Sequence, residues 1–187
     1  GQAITVDASA LDALPWFVLA GKILPLLDPS VDTIVANGTV TDPRVVPRDN
    51  RSDILHLWVF PAATQGNAVP NARSANCFAE GTTFDGTEFQ LQGETFQVRP
   101  GAETMANHLK VPPPNVFVAQ IVVGPGAAPV SIHAQNGTVL PKLETWSHVA
   151  SWAFRQSGPA WSWDDKLNVL WIRLSRNCPS VVITWPL

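Results

Sequence analysis

Hydrophobic residues in this chain come in short runs broken by proline and glycine, 17 and 12 residues respectively. The runs Ile54–Phe60, Val116–Val123, Val169–Leu174 and Val181–Trp185 are rich in Val, Ile and Trp. They are too short for long helices, and their composition predicts strands of a sandwich or barrel. In Ile54–Phe60, Leu55, Leu57 and Val59 share one face, while Ile54, Trp58 and Phe60 share the other with His56. Both faces are largely apolar, as expected of a central strand. In Val169–Leu174, Leu170, Ile172 and Leu174 are expected to point inward, with Arg173 on the opposite side. Phe89–Leu91 and Thr95–Val98, joined through Gly93, predict a hairpin. Pro112, Pro113 and Pro114 cannot join a ladder and mark a connection. A further short strand is expected at Val130–Ile132, and Trp161–Leu170 reads as strand, turn, strand.

Leu11–Leu26 is the most apolar stretch. A turn at Leu14-Pro15 leads into an expected strand over Trp16–Ala20; Gly21 follows, then Ile23-Leu24, stopped by Pro25. Neither run alternates, so both should be covered on two faces. Gly21 lacks a Cβ, which suits a sharp bend or a close backbone approach.

The wording of this stretch is specific. Val6-Asp7-Ala8, Leu11-Asp12, Leu14-Pro15, Phe17-Val18, Ala20-Gly21 and Ile23-Leu24-Pro25-Leu26 resemble a phrase of glycoside hydrolase family 31, the α-glucosidases and their relatives. In that family the phrase opens the β-rich region after the catalytic barrel, and Leu14, Pro15, Phe17, Gly21 and Pro25 are its structural positions here. Ser9-Ala10 stands where the family has a single proline, and Leu19 replaces an arginine, so no polar role passes to Leu19. Asp53–Ala62 again resembles the family. Phe78–Phe84 stands in place of its acidic turn without the aspartate pair, so no role passes to Glu80. At the other end, Trp161, Trp163, Val169-Leu170, Ile172, Leu174 and Trp185 resemble the family's last domain.

The expected fold is all-β, with two packed β-sandwich-like units. Residues 1–84 would form a proximal C-terminal domain lacking its first strand, and residues 85–187 a distal one. A missing strand would leave an edge open to pairing with another chain around Val6–Leu26.

Charged residues make up 14% of the chain, well below the roughly 25% of an average soluble protein. That favours a chain that docks on something larger. A net charge of −3 provides no footprint for nucleic acid, and no run approaches the ~18 apolar residues of a membrane span.

Catalytic chemistry is not legible. A retaining glycosidase needs two carboxyl groups about 5 Å apart, and in family 31 both lie upstream of the opening phrase. Asp164 and Asp165 are adjacent in an expected turn, where aspartate serves local hydrogen bonds. His56, His108, His133 and His148 form no metal-ligand motif, and no G-x-S-x-G elbow is present. The sequence therefore assigns no catalytic, cofactor-binding or metal residue. Eight tryptophans and no tyrosine suggest filler at Trp58 and Trp171, leaving Trp146, Trp152, Trp161 and Trp163 open to a sugar-stacking role.

Three sequons, at Asn37, Asn50 and Asn136, point to the secretory pathway, with a secreted, lysosomal or vacuolar destination. Cys77 and Cys178 are candidates for a disulfide, for a reduced pair, or for a link from Cys77 to another chain. The resemblance implies a non-catalytic part of an α-glucosidase-type enzyme. Its partner would be the catalytic chain, and the carbohydrate substrate would be bound by the whole enzyme. The competing classes are an independent carbohydrate-binding β-sandwich and a structural, capsid-like β protein.

Overall fold

The computed structural model describes residues 18–26, 54–63, 72–73, 76–83, 86–101, 114–150 and 158–186. Leu14, Pro15, Phe17, Asn37, Asn50, His108, Trp152 and the rest of the expected Val6–Phe17 contact segment lie outside these residues.

The fold is all-β, as the short apolar runs predict. The strands are β1 (Lys22–Leu26), β2 (Ile54–Phe60), β3 (Ala62–Ala63), β4 (Cys77–Thr82), β5 (Glu88–Gln92) and β6 (Thr95–Arg99). They continue with β7 (Val116–Val122), β8 (Ser131–Ala134), β9 (Ala160–Asp164), β10 (Val169–Ser175) and β11 (Ser180–Thr184), with a helical turn α1 (Trp146–Ala150) before β9. All belong to one mixed sheet in the order β8-β11-β6-β5-β4-β1-β2-β7-β10-β9, with β3 beside β4. Strand pairs β4–β5 and β2–β7 run across residue 84.

The two ends of this order, β8 and β9, meet through residues 138–143. On one side Ala134 N–H donates to Thr138 O and Leu140 N–H to Ile132 O, both at 2.8 Å. On the other, Leu143 N–H donates to Trp161 O at 2.7 Å and Trp161 N–H to Pro141 O at 3.1 Å. One irregular segment thus pairs with both terminal strands and closes the sheet into a barrel, leaving neither outer strand as a bare edge.

The interior follows from the period-2 alternation of each strand. Leu170, Ile172 and Leu174 on β10 are fully buried and pair in register with Ile121, Ala119 and Phe117 on β7. Those three in turn lie beside Val59, Leu57 and Leu55 on β2. Each fully buried Leu, Ile or Phe contributes about 1.5–3 kcal/mol of hydrophobic stabilisation. Val181 and Ile183 of β11, Phe89 and Leu91 of β5, and Phe96 of β6 fill the far wall of the same core. A second cluster lies outside the barrel wall, where Ile54, Val116, Val118, Val169 and Trp171 are covered by Val149 of α1.

Local chemistry explains the turns. In the β5–β6 hairpin Gly93 takes φ 55° between the paired residues Gln92 and Thr95, the sign that a type II′ turn requires at its first position. Asp164 Oδ1 accepts the N–H groups of Lys166 and Leu167 at 3.0 and 3.1 Å, so it is a turn former.

The opening stretch departs from expectation in two ways. Val18 and Leu19 lie outside any strand, Leu19 is 73% exposed, and Ala20-Gly21 form a turn. The reason is register: the paired positions of β1 and β2 end with Lys22 opposite Phe60, and Gly21 turns the chain there, its N–H donating to Phe60 O at 2.7 Å and its O accepting the Glu80 N–H at 3.0 Å. Pro25 does not stop the strand, which runs on to Leu26. Pairing of β1 with β4 is confined to Lys22 and Glu80, so Pro25 lies where β1 has a ladder on one flank only. Gly21 has φ 85°, and a Cβ there would meet the Phe78 ring at 2.9 Å. We expect Gly21→Val to destabilise the fold by about 1–3 kcal/mol, the strain of a β-branched residue in that conformation, measured by chemical denaturation. An unchanged midpoint would show that neither the φ nor the contact matters.

Candidate functional site

Among the described residues, those singled out by sequence do not converge on one place. Asn136 is exposed in the turn after β8, its Oδ1 accepting the Thr138 N–H at 3.1 Å beside Gly137 at φ 83°. Cys77 and Cys178 are both free thiols. The Cys77 thiol is buried and donates towards Gly93 O at 3.2 Å and Ala72 O at 3.5 Å. Burial pushes it up to about 11 from an ordinary 9.0, and burial also raises Cys178. Gly21 and Pro25 shape the backbone rather than a site.

The tryptophans divide by position. Trp161 is buried, its indole N–H donating to Leu140 O at 3.2 Å, and thus helps hold the closing segment. Trp171 is 9% exposed, as a filler residue should be, and lies under Trp146, with ring centroids 5.1 Å apart and planes at 19°. Trp163 and Trp185 flank the Arg73 guanidinium at 5.9 and 5.3 Å, and Arg73 Nη1 donates to Pro125 O at 3.1 Å. Here an arginine ties the chain after β7 to the ends of β9 and β11. Trp58 departs from the expectation of filler: it is 39% exposed on the outer face, with Phe60 edge-on to it at 6.3 Å. Its partner in the β1 ladder, Leu24, offers too little cover to bury an indole.

Among the described residues, a groove of about 540 Å³ runs across the outer face of β1, β4, β5 and β6. Lys22 Nζ lies 2.8 Å from Glu80 Oε1, and Arg99 Nη1 lies 3.7 Å from Glu88 Oε2. On β5 and β6, in the same row as Lys22 and Glu80, Gln97 Nε2 donates to Gln90 Oε1. The β-register sets these side chains in a row, Gln97 beside Gln90, Gln90 beside Glu80, and Glu80 beside Lys22. The groove follows the seam where β1 meets β4. Only glycine fits at Gly81 in that seam, since a Cβ would come within 2.3 Å of Ile23 O.

The Lys22 hydrogen bond and charge hold the Glu80 carboxyl below the usual carboxylate range. A general acid needs the opposite shift. Sequence reading missed these residues because each is an ordinary outward position of an alternating strand. The signal was present in the strict polar alternation of Glu88, Gln90, Gln92 and of Thr95, Gln97, Arg99. The β1–β4 pairing that brings Lys22 beside them was not legible.

The raised Cys77 value has a pH consequence. Below pH 9.0 the thiol is protonated in both folded and unfolded chains, and its contribution is intact. As pH rises from 9.0 towards 11 the unfolded thiol ionises first, so folding stability falls. We expect this alkaline loss to be smaller in Cys77→Ala when denaturation midpoints are compared across that range. Native alkylation should modify Cys178 before Cys77. Equal rates at the two thiols would contradict the burial assigned to Cys77.

No family model matches the chain, and no curated protein matches it. Among solved structures, a family 31 dextranase of Flavobacterium johnsoniae in complex with glucose resembles it with a TM-score of 0.50 at 13% identity. That match covers 89% of this chain and 19% of the dextranase. The cycloalternan-forming enzyme of Listeria monocytogenes, with its pentasaccharide substrate, matches with a TM-score of 0.42 at 13% identity, over 71% of this chain and 10% of that one. An uncharacterized protein of the same organism gives 0.49 at 14%, over 88% and 13%. At such identities the likeness is one of fold, and the chain spans only a tenth to a fifth of the length of these proteins.

Proposed function

We propose that this chain is the non-catalytic β-rich part of an α-glucosidase-type glycoside hydrolase of family 31, bracing a catalytic barrel that hydrolyses terminal α-linked glucose. The observation that carries this reading is the fold likeness over 89% of the chain to a minor portion of a family 31 dextranase. It is supported by the family's opening phrase around Gly21 and its closing phrase from Trp161 to Trp185, which stand in family order. The catalytic carboxylates would come from the barrel, acting as a retaining pair. The chain itself would supply a rigid, closed body against which that barrel rests.

This reading carries a secretory origin with it, through the exposed sequon at Asn136. In a natural sample, enzymatic removal of N-glycans should lower the mass of the peptide containing Asn136. A bare asparagine there, together with bare Asn37 and Asn50, would remove the sequon argument.

The decisive test is activity and company. The isolated chain should not hydrolyse an aryl α-glucoside above background. Native mass spectrometry of the natural protein should find the catalytic barrel in the same particle or polypeptide. Turnover by the pure chain, abolished by substituting one of its own carboxylates, would overturn the reading. So would a natural protein that exists as this chain alone.

A further inference from the structure

We propose that the groove across β1, β4, β5 and β6 is a binding site for neutral oligosaccharides, with Trp58 as a stacking platform at its rim. The groove is lined entirely by residues of this chain, and binding there goes beyond the bracing role.

Three features define the ligand class. First, the groove is charge-balanced: Lys22 and Arg99 face Glu80 and Glu88, each cation beside one carboxylate. Two opposed pairs leave little net potential to attract an anion or a cation. They still present oriented donors and acceptors that would suit hydroxyl groups, which both give and accept hydrogen bonds. Gln90 and Gln97 add an amide pair, again offering both roles. Second, these polar side chains do little for the fold. Both ion pairs are well exposed, with side chains 45% to 66% accessible, so solvent screens them and they add little to the stability of the fold. Their geometry can therefore be redirected to a ligand without undoing the barrel.

Third, an aromatic surface stands at the edge. Leu24 lines the groove and pairs with Trp58 on the next strand, so the indole lies about 5 Å further along the same face. Phe60 packs edge-on against Trp58, which stays 39% exposed. A pyranose has one apolar C–H face and a polar perimeter; the indole suits the first and the row of amides and ion pairs the second. From β1 to β6 the polar row crosses three strand spacings, about 14 Å, which suits several linked sugar rings better than one. The volume of about 540 Å³ also lies within the range of built small-molecule sites.

The test is calorimetric titration of the full 187-residue chain with maltotriose, isomaltotriose and cellotriose, and with trigalacturonate as the charged comparison. At least one neutral trisaccharide should bind with a Kd of about 1 mM or tighter, unaffected by raising salt to about 0.5 M. Trp58→Ala and Gln90→Ala should each weaken it about fivefold or more, the effect of losing one good polar or stacking contact. On the unmodified chain, backbone amide shifts should cluster at residues 22–24, 80–82, 88–90 and 97–99, which keeps the site testable if a variant fails to fold. The proposal is overturned if no neutral trisaccharide binds at about 10 mM. Equally, it fails if binding survives both substitutions, if the shifts map elsewhere, or if only trigalacturonate binds and salt abolishes it. Because the titration needs no catalytic partner, its failure leaves the bracing role intact, and a chain found alone in nature leaves the groove intact.

Discussion

Closure of the sheet is the constraint on which the rest of this structure depends. Ten strands in one row would end in two unpaired edges, each a line of unsatisfied N–H and C=O groups. The segment at 138–143 answers both edges at once, taking β8 on one side and β9 on the other. Trp161 reinforces the seam from inside, its ring buried and its indole N–H bound to the segment's own backbone at Leu140. Because the ends meet, the inward side chains of distant strands share one interior, and Ile183 of β11 belongs to the same core as Leu57 of β2.

A filled interior pushes function outward. Large apolar side chains with almost no exposure occupy the barrel, so any ligand or partner of the described residues meets the outer wall. That wall is divided. Over β2, β7 and β10 the helical turn α1 and Trp146 cover an apolar sector. Over β1, β4, β5 and β6 the wall stays open and polar, and there the groove lies. Trp58 stands at the border between the two sectors, apolar in kind yet exposed, because its ladder neighbours are Leu24 on one side and Gln120 on the other.

The buried polar groups show how the wall is held. Arg173 sits on the outer side of β10, as alternation predicts, but is buried there, with Nε and Nη2 donating to Gly158 O at 3.1 and 2.9 Å. Burial lowers its proton affinity, and its hydrogen bonds to a backbone carbonyl compensate part of the desolvation. The guanidinium thus anchors the chain entering β9 to the neighbouring strand. Arg73 performs a similar task at the barrel end, between Trp163 and Trp185.

What the sequence determined by itself is the part that depends on neighbours in the chain. Alternation placed Leu170, Ile172 and Leu174 inside and Arg173 outside; Gly93 marked a hairpin; Asp164 marked a turn. These outcomes follow from strand period and local backbone sterics, which act over a few residues. What only the tertiary structure decided depends on contacts between distant segments. The single pairing of Lys22 with Glu80 sets the seam, ends the ladder before Pro25, and brings two opposite charges into one groove. The β1–β2 register ends with Lys22 opposite Phe60, so Val18 and Leu19, which read as strand, lie outside it, and Ala20-Gly21 turn the chain. Closure at 138–143 carried no pattern in the sequence, since an irregular segment is made into a ladder only by the two strands it happens to meet.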